Sequence, residues 1–286
     1  MVFVATLRDL IQLTVPEFIP MGLTALIAGL VFSSHSFLPS INLLLALLSV
    51  VFVIAGYNSF NAIADKEIDG INKPFRPIPR KVISLKQALY ASILFFSASL
   101  FLAFLINLVF FTVIVFTTLI AVLYSFPAVN LKRRFVLGTL SANLLYTVLF
   151  PLAGWALTPS NPVPWELVSF LFFFGLGSAV LKDFEDVPGD IRYNARTLPA
   201  VLGYSEAIVF VFSSFLFSLV LLAFFIISNS LPIKYSLIAG PVVLALGNAY
   251  HLYHKRSQDV AKTSFKIGLV ILMITEIGFA LLAVAG

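Results

Sequence analysis

The chain has 286 residues, 60% of them hydrophobic and only 11% charged, against about 25% charged in soluble domains. With a mean hydropathy of +1.04 and no cysteine, this composition excludes a soluble globular enzyme, a disulfide framework and thiol chemistry. The net charge of +5 matters less than its placement, and no nucleic-acid partner is expected.

The N-terminal stretch 1–10 contains Arg8 and Asp9 and offers no small-residue cleavage site after a short apolar core. A permanent first span is therefore expected rather than a cleaved signal peptide. Nine apolar segments follow, at 10–33, 43–61, 88–107, 109–127, 137–157, 167–181, 207–228, 235–253 and 265–286. Each approaches the ~20 residues that cross a hydrocarbon core. The expected fold is all-α: a polytopic membrane protein of nine transmembrane helices, forming a single domain over 1–286. The third and fourth segments nearly meet at Asn107, which predicts a tight hairpin.

The loops alternate in charge. Seventeen of the 18 Lys and Arg residues fall at the N-terminus or in the second-to-third, fourth-to-fifth, sixth-to-seventh and eighth-to-ninth connections; only Lys234 lies on the opposite side. Positive charge stays cytoplasmic. This places the N-terminus inside, the C-terminus outside, and the chain in the cell membrane.

Acid is scarce and clustered. Of 13 Asp and Glu residues, seven lie in two stretches, 61–69 and 182–190. Both fall at the expected cytoplasmic ends of helices. Asn61, Asp65 and Asp69 are spaced i, i+4, i+8, and Asp183, Asp186 and Asp190 i, i+3, i+7, so each set forms one helical stripe. Pro188 and Gly189 predict a fray or bend near Asp190. Glu67 and Glu185 project away, toward solvent or basic loop residues. Stacked carboxylates at a membrane boundary need a cation. Oxygen donors without His or Cys point to Mg²⁺, which commonly binds through one or two carboxylates plus substrate phosphates. Lys73, Arg76, Lys132, Arg133, Lys182, Arg192 and Arg196 supply charge for a phosphate group. A diphosphate held this way is a good leaving group, and an allylic carbon attached to it gives a stabilised cation. The 30 Phe and nine Tyr residues can wall a cavity for a lipid tail.

Other ionisable residues are ambiguous. Glu17 and Glu276 fall within expected spans. Glu17 either faces the cavity or pairs near the interface; Glu276 is as consistent with packing as with a site. His251 and His254 read as interfacial, and His35 faces outside. An ion-coupled transporter would place its acids near the midplane on broken helices, whereas these lie at one face. A non-catalytic lipid-binding protein would not need six aligned Asn and Asp residues.

At these motifs the sequence resembles the UbiA-type intramembrane prenyltransferase superfamily. The resemblance rests on Asn61, Asp65 and Asp69, on Arg76-Pro77-Ile78-Pro79, on Tyr124-Ser125-Phe126-Pro127 with Lys132-Arg133, Gly138 and Asn143, and on Asp183, Asp186 and Asp190. It extends over essentially the whole chain. It implies helices around a central cavity open to the cytoplasmic face and laterally to lipid, and two Mg²⁺ ions bridging the Asp motifs to an isoprenoid diphosphate. By that analogy Asn61, Asp65, Asp69, Asp183, Asp186 and Asp190 bind metal, with Asp65, Asp69, Asp183 and Asp186 the catalytic core, while Arg76, Tyr124, Lys132 and Lys182 contact diphosphate. Arg196 joins the substrate-binding set from charge and spacing. The run from Lys182 to Gly203 looks most like the archaeal ether-lipid branch. That branch transfers a geranylgeranyl group to the hydroxyl of geranylgeranylglyceryl phosphate, a lipid-phosphate acceptor. The alternative is an aromatic prenyltransferase of quinone, tocopherol or chlorophyll type, with an aromatic acid as acceptor. Two departures stand out: Val15 precedes Pro16 where Arg is common, and Arg80 stands where Ser is common. For the acceptor's phosphate, Lys81, Lys86, Arg134 and Arg192 are available, and the sequence does not select among them.

Overall fold

The computed structural model describes residues 6–37 and 39–285. Its helices, in order, are α1 (Leu7–Leu13), α2 (Pro16–Ser34), α3 (Ile41–Ala64), α4 (Lys66–Asn72), α5 (Leu85–Phe104), α6 (Leu108–Ser125), α7 (Leu137–Trp155), α8 (Trp165–Arg192), α9 (Leu198–Leu202), α10 (Tyr204–Ile227), α11 (Ala239–Lys255) and α12 (Gln258–Val284). No strand occurs among the described residues.

Eight of these helices are long and apolar enough to cross a bilayer: α2, α3, α5, α6, α7, α8, α10 and α12. The segment expected at 235–253 is assembled differently. A 3₁₀ stretch, Ile233–Ile238, runs directly into the 17-residue α11. At about 2.0 and 1.5 Å rise per residue, the two pieces end to end extend on the order of 37 Å, beyond a hydrocarbon core of ~30 Å. The first expected segment is also cut. Val15 sits in the left-handed region at φ 48°, where a β-branched residue cannot continue a helix. The first span therefore starts at Pro16 instead of residue 10, and α1 precedes it as a separate short helix. Thr6 and Asp9 cap α1 reciprocally, and Asp9 also receives Arg80 at 3.2 Å. The unusual Arg80 thus ties α1 to the loop after α4.

Local chemistry sets the helix starts. Ser40 Oγ accepts the Leu43 N–H at 3.1 Å, and Ser84 and Gln87 form a capping box on α5. Asn107 accepts the Phe110 N–H at 2.8 Å while donating to the Ala156 carbonyl, also at 2.8 Å. One side chain thereby closes the α5–α6 hairpin and pins it to the end of α7.

The spans pack as a ring. α2 contacts α3, α3 packs on α5, α5 on α6, α6 on α7, α7 on α8, α8 on α10, α10 on α11, and α12 closes back onto α2 and α8. Lipid tails are as apolar as leucine, so helix association in a bilayer relies on close approach and polar bonds rather than on the hydrophobic effect. Both appear here. A Cβ at Gly29 would lie 1.9 Å from the Pro151 carbonyl oxygen, and one at Gly154 would lie 1.9 Å from that of Leu26. The α2 and α7 backbones touch through these two glycines. Between α3 and α5, Ser49 and Ser99 exchange hydrogen bonds to each other's carbonyls at 3.0 and 2.8 Å.

The two ends of the bundle differ. At one end, His35 and Lys234 reach the carbonyls of Ala283 and Ala285. At the other, the basic connections bond to one another: Arg196 N–H to the Arg133 carbonyl, Gln258 to the Glu185 carbonyl and Arg256 to Ser205. Both acidic stretches lie at this basic end.

Candidate active site

The first stripe spans a break. Asp65 ends α3 at φ −94°, ψ 7°, and Lys66 opens α4. The i→i−4 bonds nevertheless continue, from the Asp65 N–H to Asn61 at 2.9 Å and from the Asp69 N–H to Asp65 at 2.7 Å. The stripe survives because the backbone bends without losing its ladder. Asn61 receives Ser125 Oγ at 3.2 Å and donates to Asp65 at 2.9 Å. Asp65 also accepts Lys132, and Asp69 accepts Arg76 at 2.8 Å.

The second stripe is better ordered than its sequence predicts. α8 runs through Pro188 to Arg192 without fraying. The reason is Asn72, at the end of α4. Its carboxamide accepts the Gly189 N–H at 3.0 Å and donates to the Asp186 carbonyl at 2.8 Å, replacing ladder bonds around the proline. A Cβ on Gly189 would come within 2.6 Å of the Asn72 amide, so this docking requires glycine. Asp186, 5% exposed, is gripped from both sides: Lys73 at 2.6 and 2.9 Å, and Lys182 at 3.0 Å. Lys73 also meets Glu185 at 3.2 Å. Asp190 is buried beneath, with Oδ2 accepting Thr197 Oγ at 2.9 Å and Oδ1 without a partner among the described residues. Asp183 faces the cavity with no ion pair among the described residues.

Asn61, Asp65, Arg76, Tyr124, Lys132, Lys182, Asp183 and Arg196 all line one cavity of about 1040 Å³ including its open mouth. Asp69 and Asp186 stand just behind that wall, each bonded to a cation that lines it. The deeper wall is apolar, built from Phe18, Met21, Phe265, Leu269 and Leu272, with the Phe18 ring tilted against both Tyr146 and Phe265. Beside it, residues 145–149 of α7 form a π-helical turn, a feature frequent at functional sites. Tyr57 and Tyr124 pack 5.4 Å apart between the polar and apolar halves.

Charge in the polar half is strongly coupled. Burial is the largest single influence on the Lys132 ammonium and pulls its pKa down, but Asp65 and Asp186 together more than offset it and the net shift is upward. Arg76 behaves the same way, with the downward pull of burial more than offset by Asp69, Asp186 and Asp65 together. Both groups are cations at any physiological pH.

Among the described residues, no three carboxylates or imidazoles converge closely enough to hold a metal alone. The donor set still fits a hard divalent ion. It offers oxygens only, an unpartnered buried Asp190 oxygen and a free Asp183 on the cavity wall. Mg²⁺ needs few protein carboxylates when substrate phosphates complete its shell. In this arrangement Lys and Arg side chains neutralise the other acids.

Sequence reasoning treated Lys73 as one of a pool of cations and missed Asn72 and Thr197. Residues 72 and 73 lie three and four positions beyond Asp69, so they continue the first stripe by one turn, a spacing visible in the sequence. Thr197 has no such signal. Glu17 is exposed and does not line the cavity. Glu276 is fully buried and receives Thr24 Oγ. His251 and His254 are exposed on α11, His254 meeting Tyr250 and Tyr253 edge-on.

Comparison with known proteins places this geometry. Residues 22–274 match the model of the UbiA prenyltransferase family. The digeranylgeranylglyceryl phosphate synthase of Thermococcus onnurineus is 32% identical over 285 residues, covering 97% of this chain and 99% of that protein. The enzyme of the same name from Methanosphaera stadtmanae is 32% identical over 188 residues, 66% of this chain and 68% of that protein. Among solved structures, one from work on the biosynthesis of digeranylgeranylglyceryl phosphate synthase in membranes superimposes with a TM-score of 0.70 at 25% identity, over 97% of this chain and 98% of that one. A UbiA homologue from Archaeoglobus fulgidus bound to GPP and Mg²⁺ shares the fold, with a TM-score of 0.74 at 19% identity over 95% of this chain and 99% of that one.

Proposed function

We propose that this chain, which belongs to the UbiA prenyltransferase family, transfers a geranylgeranyl group from geranylgeranyl diphosphate to the hydroxyl of geranylgeranylglyceryl phosphate. The product would carry the second ether bond of an archaeal membrane lipid. The observation that carries this reading is the two-part cavity: cations and Asp65 with Asp183 at one end, an apolar room at the other. A diphosphate with a long isoprenoid tail has the same division. Full-length similarity to the Thermococcus onnurineus synthase supports the choice of acceptor. Residues 1–286 are read as one intramembrane domain of a multi-pass membrane protein, with the basic end cytoplasmic.

Asn61, Asp65, Asp69, Asp183, Asp186 and Asp190 would hold Mg²⁺, two ions in all, in keeping with the Mg²⁺ in the Archaeoglobus fulgidus homologue. Bound metal supplies Lewis-acid stabilisation of the departing diphosphate. Lys73, Arg76, Lys132 and Lys182, which line the cavity, would bind diphosphate oxygens. Tyr124, on the cavity wall, would contact the same group. Phe18, Met21, Phe265, Leu269 and Leu272 hold the tail and keep water from the allylic cation, while the faces of Tyr57 and Tyr124 favour positive charge near them. The acceptor hydroxyl then attacks carbon 1, its C–O bond replacing the one lost to diphosphate, and its proton leaves with a base.

The test is product formation by purified protein with radiolabelled geranylgeranyl diphosphate, Mg²⁺, and either geranylgeranylglyceryl phosphate or a panel of aromatic acids. Ether product with the glyceryl phosphate alone is expected; product with an aromatic acid alone overturns the acceptor. Asp65→Ala and Asp186→Ala are each expected to abolish turnover in folded protein. Near-normal rates in either would remove the acidic stripes from the mechanism.

A further inference from the structure

Six cations line the cavity, and they divide into two classes. Lys73, Arg76, Lys132 and Lys182 are each engaged with a carboxylate of the acidic stripes. Arg134 and Arg196 line the same cavity and have no acidic partner among the described residues. Both are exposed, so they stand at the mouth, not in the interior.

They come from connections 62 residues apart in sequence, and the fold deliberately joins these connections. The Arg196 N–H donates to the Arg133 carbonyl at 3.4 Å, bridging the loop before α9 to the loop before α7. Asn130 in the left-handed region at φ 43° turns the chain ahead of Lys132, and Arg134 follows in an extended conformation. Lys132 and Arg134 therefore both reach the cavity while Arg133 does not. The Arg134 Nε is fixed on the Val129 carbonyl at 2.8 Å, which orients its guanidinium and leaves its terminal nitrogens without a partner among the described residues. Of the four cations available by sequence for the acceptor, Lys81, Lys86 and Arg192 are exposed and outside the cavity.

We propose that Arg134 and Arg196 form a second anion subsite at the cavity mouth, which holds the phosphate monoester of the lipid acceptor. This rests on the acceptor assignment above. A phosphate monoester near neutral pH carries between one and two negative charges, and two uncommitted guanidiniums match that charge with forked donors. The diphosphate meets cations already embedded among acids deeper in the wall. The mouth pair serves the substrate that must present its headgroup at the membrane surface while its hydroxyl reaches inward. Arg196, expected from sequence among the diphosphate ligands, is thereby assigned to the acceptor.

The test compares wild type with Arg134→Gln, Arg196→Gln, the double variant and the two Arg→Lys variants. Each substrate is varied with the other saturating. Each Gln variant is expected to raise the acceptor KM about tenfold, the scale of one lost charge-assisted hydrogen bond, with kcat and the donor KM changed less than about twofold on the same scale. Lysine should restore part of the loss. Equilibrium binding of radiolabelled geranylgeranylglyceryl phosphate without donor should weaken in parallel, and the unphosphorylated geranylgeranylglycerol should lose nothing further in the variants. A donor KM that rises in step assigns the pair to diphosphate instead and overturns the proposal, as does an unchanged acceptor KM. Retained thermal stabilisation by geranylgeranyl diphosphate shows that a variant is folded. If wild type makes no product with the glyceryl phosphate yet binds it through these arginines, the acceptor assignment fails and the subsite stands; if wild type turns it over and the variants are indistinguishable, the subsite alone fails.

Discussion

Lys73 holds more of the site together than any residue singled out from sequence. Its ammonium bonds both oxygens of Asp186 and reaches Glu185, joining the chain after α4 to α8. Its side chain is 14% exposed and that of Asp186 only 7%, so the pair is largely withdrawn from water. Breaking such a pair costs more than the pair contributes, because the remaining charge is stranded. Lys73→Met is expected to destabilise the protein by about 1–3 kcal/mol, the penalty for an abandoned buried polar group, with Lys182 limiting the loss. It should also raise the donor KM. Lys73→Met combined with Asp186→Asn should recover part of the stability, giving a coupling energy of about 0.5–3 kcal/mol in a double-mutant cycle. Thermal unfolding in detergent measures it, and strictly additive effects would show that the two side chains do not interact in the folded protein. Glu276 is the opposite case, an acid remote from the chemistry. It receives Thr24 Oγ between α12 and α2, and its Oε1 has no partner among the described residues. Glu276→Gln preserves that bond, whereas Glu276→Leu removes it. The leucine variant is expected to lower thermal stability and leave the KM of both substrates unchanged; a glutamine variant as unstable as the leucine one would show that the hydrogen bond contributes nothing.

Among the elements, the α4–α8 contact decides where the second stripe points. Asn72 replaces backbone bonds around Pro188, and Gly189 leaves space for it. Gly189→Ala should therefore push the two helices apart, at a cost of about 1–3 kcal/mol typical of overpacking, and lower activity by displacing Asp186. Removing the obstacle should help: Asn72→Ala in the Gly189→Ala background is expected to regain activity over Gly189→Ala alone. A double variant worse than both singles would refute this steric account. The same contact shows what could be read from the sequence. The stripe spacings, the scarcity of acid and the Pro-Gly pair were all visible at residues 61–69 and 182–190. The response to Pro188 was not, because it depends on a side chain 116 residues away that only the folded bundle brings there. The break at Val15 is similar. Apolar character carries straight through 10–33, and the left-handed turn at Val15 that delays the start of the first span is made without a local glycine or asparagine. The carboxylate partners divide in the same way. That cations surround the stripes follows from the loops; which lysine meets which aspartate is set by how α4, the 131–133 turn and α8 converge.

The whole molecule is polarised, and the polarity is testable because the chain contains no cysteine. Seventeen of its 18 Lys and Arg residues lie in the connections and helix ends on one side of the bundle, the side that also holds both acidic stripes and the cavity mouth. Basic connections are retained on the cytoplasmic side, and each charge carried across against the membrane potential would cost about 2.3 kcal/mol per 100 mV. Donor and acceptor would then enter from the cytoplasmic side. Two single-cysteine variants separate orientation from span number. Lys86→Cys lies at the basic start of α5, and Ser230→Cys lies in the exposed connection after α10. Between them run α5, α6, α7, α8 and α10, an odd number of crossings. An impermeant maleimide should therefore label Lys86→Cys only in inside-out vesicles and Ser230→Cys only in right-side-out ones. The reversed pattern would invert the protein and place its active site outside. Labelling of both positions from one side would mean that one of the five helices does not cross, and the closed ring around the cavity would have to be redrawn.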